Sequence, residues 1–325
     1  MISTNERKHF MNLTTRIKAF TLLCLISAFS TPVALAFELL PVQVDNKVWA
    51  LVGEIGPRTA ENHGLNNTLG FIETPEGVIL IGSGASPAGA RLIEQTVAGV
   101  TETPIRWVIT IGAQDHHWLG NSYFSERGAR IIALRRTVAA QKAHVPDHLQ
   151  RLKRFAGKEA DAVRPVYADR IIDKDKAELN LGGVTLHLIW PGNGHFRGDA
   201  VVWLPRQRIV FAGDFVFNDR MLGVQSYSRV EEWREAFKRI AALEPQVVVP
   251  GHGFPGSLDK ARRDTGDYLD FLVDRVGKAL EDWQELGETT DQLSDAPQFR
   301  HLKLYDSWHR RNINRTYLQL EAGSP

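Results

Sequence analysis

Short apolar runs, each closed by turn residues, recur between residues 48 and 249. Segments 48–52, 68–72, 78–81, 107–111, 130–134, 184–190, 201–204, 209–212 and 247–249 have the length and β-branched content of strands. Turns such as "TPEG" at 74–77 and "LGG" at 181–183 bound them. Helix-length stretches lie between: 87–100, preceded by Ser86 as an N-cap, 137–155 and 230–243. After Pro255 the period changes. Tyr268, Leu272, Val276, Ala279 and Trp283 recur at three- and four-residue spacing, the stripe of an amphipathic helix packed on a core. Residues 288–300 are polar and read as a connection, and 307–321 as a final helix. Strands followed by strand–helix alternation, twice over, predict an α/β architecture with two sheets.

The first 36 residues break this pattern. Arg7, Lys8, Arg16 and Lys18 precede a short apolar stretch, 19–29, and "ALA" at 34–36 has the small residues of a cleavage site. This predicts a secretory signal peptide over 1–36, with Met11 an equally serviceable start. An uncleaved anchor is the alternative, but the apolar stretch is short for a bilayer. Cleavage predicts a periplasmic or secreted protein with no integral membrane span. It removes four basic residues and one acidic residue, taking the formal net charge from +1 to −2, and nothing points to nucleic acid. The only cysteine, Cys24, lies in that segment, and "TLLC" lacks the small residues that precede a lipid-modified cysteine. The mature chain therefore has no thiolate, and any metal must be held by His, Asp, Glu or Gln.

Four turns, each at the end of a predicted strand, carry such groups: "GAQDHHWLGN" with His116 and His117, "PGNGHFRGD" with His195, "AGDF" with Asp214, and "PGHG" with His252. One loop histidine is more often solvated than a ligand. Four turns in succession, at strand ends that finish near one another, predict convergence on a divalent cation such as zinc.

These motifs make residues 37–256 resemble the metallo-β-lactamase-fold superfamily, with "NNTLGFIETPEGVILIGSG" similar to its opening hairpin. The resemblance implies an αββα four-layer sandwich with the site at one edge of two facing sheets, here extended by C-terminal helices over 257–325. "RRNINRTYLQLE" is similar to endings of secreted members grouped as quinoprotein-relay metallohydrolases. The family pattern H-x-H-x-D-H, followed by G-N, is altered here. With Gly120-Asn121 as anchor, Gly112 stands for the first His, Gln114 for the second, His116 for the Asp, and His117 matches the last His. Pairing Asp115-His116 with the motif's D-H breaks the spacing. Gly82 replaces a supporting Asp of the family's "DSG"-like turn.

The family's first metal position thus keeps only His195, with Gln114 a weak amide donor. The second has His116, His117, His252 and Asp214. The expectation is one zinc per chain, with Asp214 as ligand or base and His195 as ligand or as a group that orients substrate. If His116 faces away, His117, His252 and Asp214 still suffice. His63 and His187 read as loop and structural residues, and His144, His148, His301 and His309 as solvent-facing. Phe196, Trp118 and Phe215 read as pocket wall or core. The implied activity is hydrolysis of an ester, thioester, lactam or similar small substrate. The alternative is a non-catalytic periplasmic binding or accessory protein on a degenerate site. Iron-dependent oxygenation would need the depleted first position.

Overall fold

The computed structural model describes residues 37–323, so the expected leader lies outside the described residues. The first sheet runs in chain order through β1 (Leu40–Asp45), β2 (Val48–Val52), β3 (Thr68–Thr74), β4 (Gly77–Ile81), β5 (Ile105–Ile109), β6 (Arg130–Leu134) and β7 (Arg170–Ile172). Strands β1 to β4 pair antiparallel. Beyond β4 the pairing is parallel, because helices Pro87–Ala98 and Arg135–Ala156 form the crossovers. The second sheet has the order β12-β11-β10-β9-β8, from β8 (Lys176–Leu181), β9 (Val184–Ile189), β10 (Val201–Leu204), β11 (Ile209–Phe217) and β12 (Val247–His252).

Alternation along the strands sorts side chains into layers. Ile79 and Ile81 of β4, Leu186 and Leu188 of β9, and Phe211 of β11 fill the space between the sheets. Val210 and Ala212 of β11 face the other way, onto helices Val230–Ala241 and Asp267–Glu281. Helix Arg135–Ala156 covers the opposite flank with Leu152 and Ala156, in one cluster with Trp118. The result is the α/β/β/α layering that the resemblance implied. The last helix, Tyr305–Gly323, shares a core with β11 through Ile313 and Tyr317. Its Asn312 amide donates to Leu222 O at 2.8 Å, and its Oδ1 accepts from Val224 N at 2.8 Å, so it fastens the segment after β11.

Several elements differ from the sequence reading. Strands β1, β7 and β8 lie outside the predicted strand segments. The "polar connection" contains a short helix, Leu286–Gln292, and the helix after Pro255 is interrupted by a π turn over Arg262–Gly266. His148 and His309 are buried rather than solvent-facing. The His309 ring stacks on Tyr305 with centroids 4.6 Å apart, donates from Nε2 to Leu293 O, and faces the Tyr268 hydroxyl. Among the described residues no helix is long and apolar enough to cross a membrane.

Candidate metal centre

Asp214 lies inside β11, not in a loop after it. The pairing of β11 with β12 shifts register on both sides of Gly213, and this irregularity turns Asp214 out of the ladder. Its carboxylate then lies against β12, where only glycine fits: a Cβ on Gly251 would fall 2.5 Å from Asp214 Oδ1. His252 follows at the end of β12. His116 and His117 sit on a single 3₁₀ turn, Asp115–His117, which directs both rings inward with centroids 4.4 Å apart.

All four histidines of the sequence reading face Asp214. His116 Nε2 is 3.3 Å and His195 Nε2 3.9 Å from Oδ2; His117 Nε2 is 3.2 Å and His252 Nε2 3.5 Å from Oδ1. Asp214 and the four histidines are buried. His116, His117 and Asp214 present donor atoms that all lie within 4.8 Å of one another.

The environment of each ring sets which lone pair is free. His252 Nδ1 lies 2.6 Å from Asn66 O; a carbonyl only accepts, so Nδ1 carries the proton and the Nε2 lone pair points at Asp214 Oδ1. Two electron pairs facing each other at 3.5 Å repel unless a cation lies between them. His117 Nε2 and Asp214 Oδ1 are likewise buried without a hydrogen-bond partner. Ligand atoms on a tetrahedral zinc with bonds of about 2.0–2.1 Å stand about 3.3 Å apart. The separations from Asp214 Oδ1 to His117 and His252 match that edge, while the donors that also lie within 4.8 Å of one another are those of His116, His117 and Asp214.

His116 and His195 are engaged differently. Arg58 Nη2 contacts His116 Nδ1, and a guanidinium has only donors, so Nδ1 accepts and the ring proton sits on Nε2, toward Asp214 Oδ2. In the orientation that satisfies its neighbours, the Gln114 amide donates to His195 Nε2 at 3.0 Å and Asp214 Oδ2 at 3.2 Å and accepts from Arg58 Nη2 at 2.9 Å. The His195 lone pair is thereby used. At Gly112 no side chain fits at all, since a Cβ would fall 2.1 Å from the His117 ring. A hydrogen-bonded chain, Arg58–Gln114–His195, thus stands where the family's first-site histidines would converge.

Sequence reasoning missed Arg58 and Arg220. Both come from segments outside the motifs, and no local spacing distinguishes them from surface arginines. Arg58 is held by Asp115 Oδ1 at 2.6 Å and by Asn66 Oδ1 at 3.2 Å. Arg220 donates to Gly56 O at 3.1 Å and lies 3.2 Å from His252 Nδ1. Asp199, in the second turn, accepts from Ala113 N and Phe196 N and ties the first two turns together. Burial, reinforced by Asp214, pushes its carboxyl up to about 7. His63 lies 3.2 Å from Glu159, and His187 pairs with Glu178. Phe196, Trp118 and Phe215 are fully buried, and the Phe196 ring packs 5.4 Å from that of His195.

Burial also shapes the acid response. Burial lowers His148 to about 4 and His195 to about 4. Their folded values lie below the ordinary 6.5, so the unfolded chain takes up the proton first. Their stabilising contribution is complete above pH 6.5 and is lost as pH falls toward 4. Each such group should steepen the loss by up to about 1.4 kcal/mol per pH unit in that window. Urea unfolding at pH 7, 5.5 and 4.5 should show this slope. It should become shallower in His148→Leu, whose parent Nδ1 is buried without a partner. An unchanged slope in that variant would remove His148 from the account.

Comparison with known proteins fits this geometry. Residues 115–252 match the metallo-beta-lactamase superfamily. The 2,4-dinitroanisole O-demethylase subunit alpha of Nocardioides sp. (strain JS1661) is 23% identical over 244 residues, 74% of this chain and 68% of that protein. The type 2 metallo-beta-lactamase of Bacteroides fragilis is 30% identical over 89 residues; that stretch covers 26% of this chain and 36% of the lactamase. Among solved structures, a metallo-beta-lactamase from Pontibacter korlensis superposes with a TM-score of 0.58 at 21% identity, covering 72% of this chain and 99% of that one. FIM-1 from Pseudomonas aeruginosa, in its mono-zinc form, gives 0.55 at 21% identity, covering 72% and 95%. The chain therefore carries a metallo-β-lactamase superfamily domain and has the fold of that family.

Proposed function

We propose that the protein is a metal-dependent hydrolase with one zinc per chain, held by His117, His252 and Asp214. The observation that carries this reading is the pair of buried, unpartnered atoms, His117 Nε2 and Asp214 Oδ1, with the His252 lone pair aimed at the same oxygen. A zinc ion held there would supply Lewis acidity and activate a water at neutral pH. The chain's own residues do the rest. His116, held by Arg58, donates to Asp214 Oδ2 and fixes the carboxylate's orientation, and Asn66 fixes the tautomer of His252. His195 and the Gln114 amide that holds it line the cavity beside this centre and form the wall against which a substrate carbonyl would lie.

The substrate class on this reading is an ester, thioester, lactam or similar small molecule, and the demethylase relative adds aryl methyl ethers. The N-terminal segment supports a periplasmic or secreted location, and the C-terminal "RRNINRTYLQLE" the secreted relay-type subgroup. The depleted first position favours one alternative, a binding or accessory protein with no metal chemistry. Elemental analysis separates the two. Hydrolysis predicts about one zinc per chain, lost in His117→Ala and His252→Ala, and turnover in an ester, lactam and aryl-ether screen that Asp214→Asn abolishes. A folded protein without metal above background and without turnover would leave the binding reading.

A further inference from the structure

The family match ends at His252, yet two residues well beyond it line the cavity of about 310 Å³ beside the metal centre. Trp308 lies in the last helix and Leu304 immediately before it. With Pro57 and Phe217 they supply the apolar side chains of a lining otherwise built from imidazole, amide and guanidinium groups. Phe217 stacks on the His252 ring with centroids 4.6 Å apart, so this apolar surface begins at the metal centre. Contacts outside the cavity fix both C-terminal residues. Leu304 has a φ of +65°, a left-handed conformation rare for a bulky side chain. Lys303 enforces it. Its N–H donates to Asp219 O at 3.0 Å and its carbonyl accepts from Met221 N at 2.9 Å, while Leu304 O accepts from Trp308 N in the helix. Backbone strain of this kind persists where the surroundings over-determine it, and it clusters at ligand sites. Trp308 fits because residue 223 is glycine: a Cβ there would meet the indole at 3.0 Å. Arg311 stands 5.1 Å from the indole centroid, and Asn312 ties the same turn to Leu222 and Val224. The indole is nonetheless only partly buried, so a molecule in the cavity would cover apolar surface that the fold leaves open.

We infer that Trp308 and Leu304 determine the size and apolar character of the substrate: the site takes a molecule with an uncharged, flat apolar group, one ring in size, seated against Trp308 and Phe217. The C-terminal extension is then part of the site and not only a support for the fold. An indole suits this role, because it offers a large rigid contact surface at little entropic cost. The cavity is at the small end of ligand sites, so a wall that closes it sets the upper limit on what enters. The inference rests on the hydrolase reading for the word substrate, whereas the seating of the ring does not depend on the metal.

Titration with p-cresol and 2-naphthol, followed by the indole N–H resonances of nitrogen-labelled protein, tests it. Both phenols have pKa values of about 10 and are neutral at pH 7, so the cationic lining does not attract them by charge. The Trp308 resonance is assigned by its absence from Trp308→Phe. In zinc-loaded and in chelator-treated wild type, p-cresol should shift that resonance saturably and bind more tightly than 2-naphthol. Trp308→Ala should move the affinity ratio toward 2-naphthol by about tenfold or more, and Leu304→Gly should move it the same way. Leu304→Gly should also melt no lower than Leu304→Ala, because glycine accepts the left-handed backbone without strain. It carries the size test alone if Trp308→Ala does not fold. No saturable shift at Trp308 with either phenol, a wild type that prefers 2-naphthol, or a ratio unchanged in the variants would overturn the inference, and the last result would leave both residues as packing for the helix. Missing zinc or turnover would sink the hydrolase reading and leave p-cresol binding to chelator-treated protein unaffected.

Discussion

On the proposed one-zinc reading, Gly112→His, which restores the histidine that the family pattern places there, is expected to remove the metal rather than add a second one. A Cβ at this position would fall 2.1 Å from Cδ2, 2.4 Å from Cγ and 2.9 Å from Cβ of His117. The conflict begins at the first side-chain atom, so Gly112→Ala should show it too. His117 is 1% exposed and cannot swing into solvent without opening the core around it. The ring must leave Asp214 Oδ1, and the candidate centre loses one of three donors. Overpacking of this kind costs about 1–3 kcal/mol, visible in the denaturant midpoint. Zinc per chain should fall to background in both variants. Two zinc ions per chain in Gly112→His, at undiminished stability, would show that His117 yields at little cost, and the single-site account would fail.

That glycine also marks how far the residues alone could lead. The turns bearing His116, His117, His195, Asp214 and His252 were legible because each ligand type follows an apolar run and is flanked by glycines. The depletion at Gly112 and Gln114 was legible as a departure from the family spacing. The filling of the vacated space was not: the hydrogen bonds of Arg58 and Gln114 span 57 and 81 residues to their partners at Asp115 and His195, and no local period encodes such a pairing. Asp214 read as a post-strand residue because "GD" normally ends an apolar run, whereas the bulge at Gly213 lets β11 continue to Phe217. His148 and His309 read as solvent-facing because a polar residue on a helix defaults to the surface. Tertiary packing buried both.

Arg58→Ala should be the most damaging single change outside the ligands, and more damaging than Asp115→Asn. The Asp115 side chain is fully buried, and Arg58, together with His148, outweighs that burial to hold its carboxyl well below the usual range. Removing the guanidinium strands a charge in the interior, a loss of about 3–5 kcal/mol. It also takes the donor from His116 Nδ1 and from Gln114, which loosens the orientation of Asp214. Asp115→Asn is milder for two reasons. The amide oxygen can still accept from His116 N, as Asp115 Oδ1 does at 2.9 Å. The orphaned Arg58, whose side chain is 11% exposed, lines the cavity and can reach water. The double variant should therefore be more stable than Arg58→Ala alone, and a double-mutant cycle should return a coupling of more than about 1 kcal/mol. Urea unfolding of the four proteins measures it. Additive losses would mean that Arg58 acts on the fold through Asn66 and the opening loop instead, and the tie between that loop and the orientation of His116 would have to be abandoned.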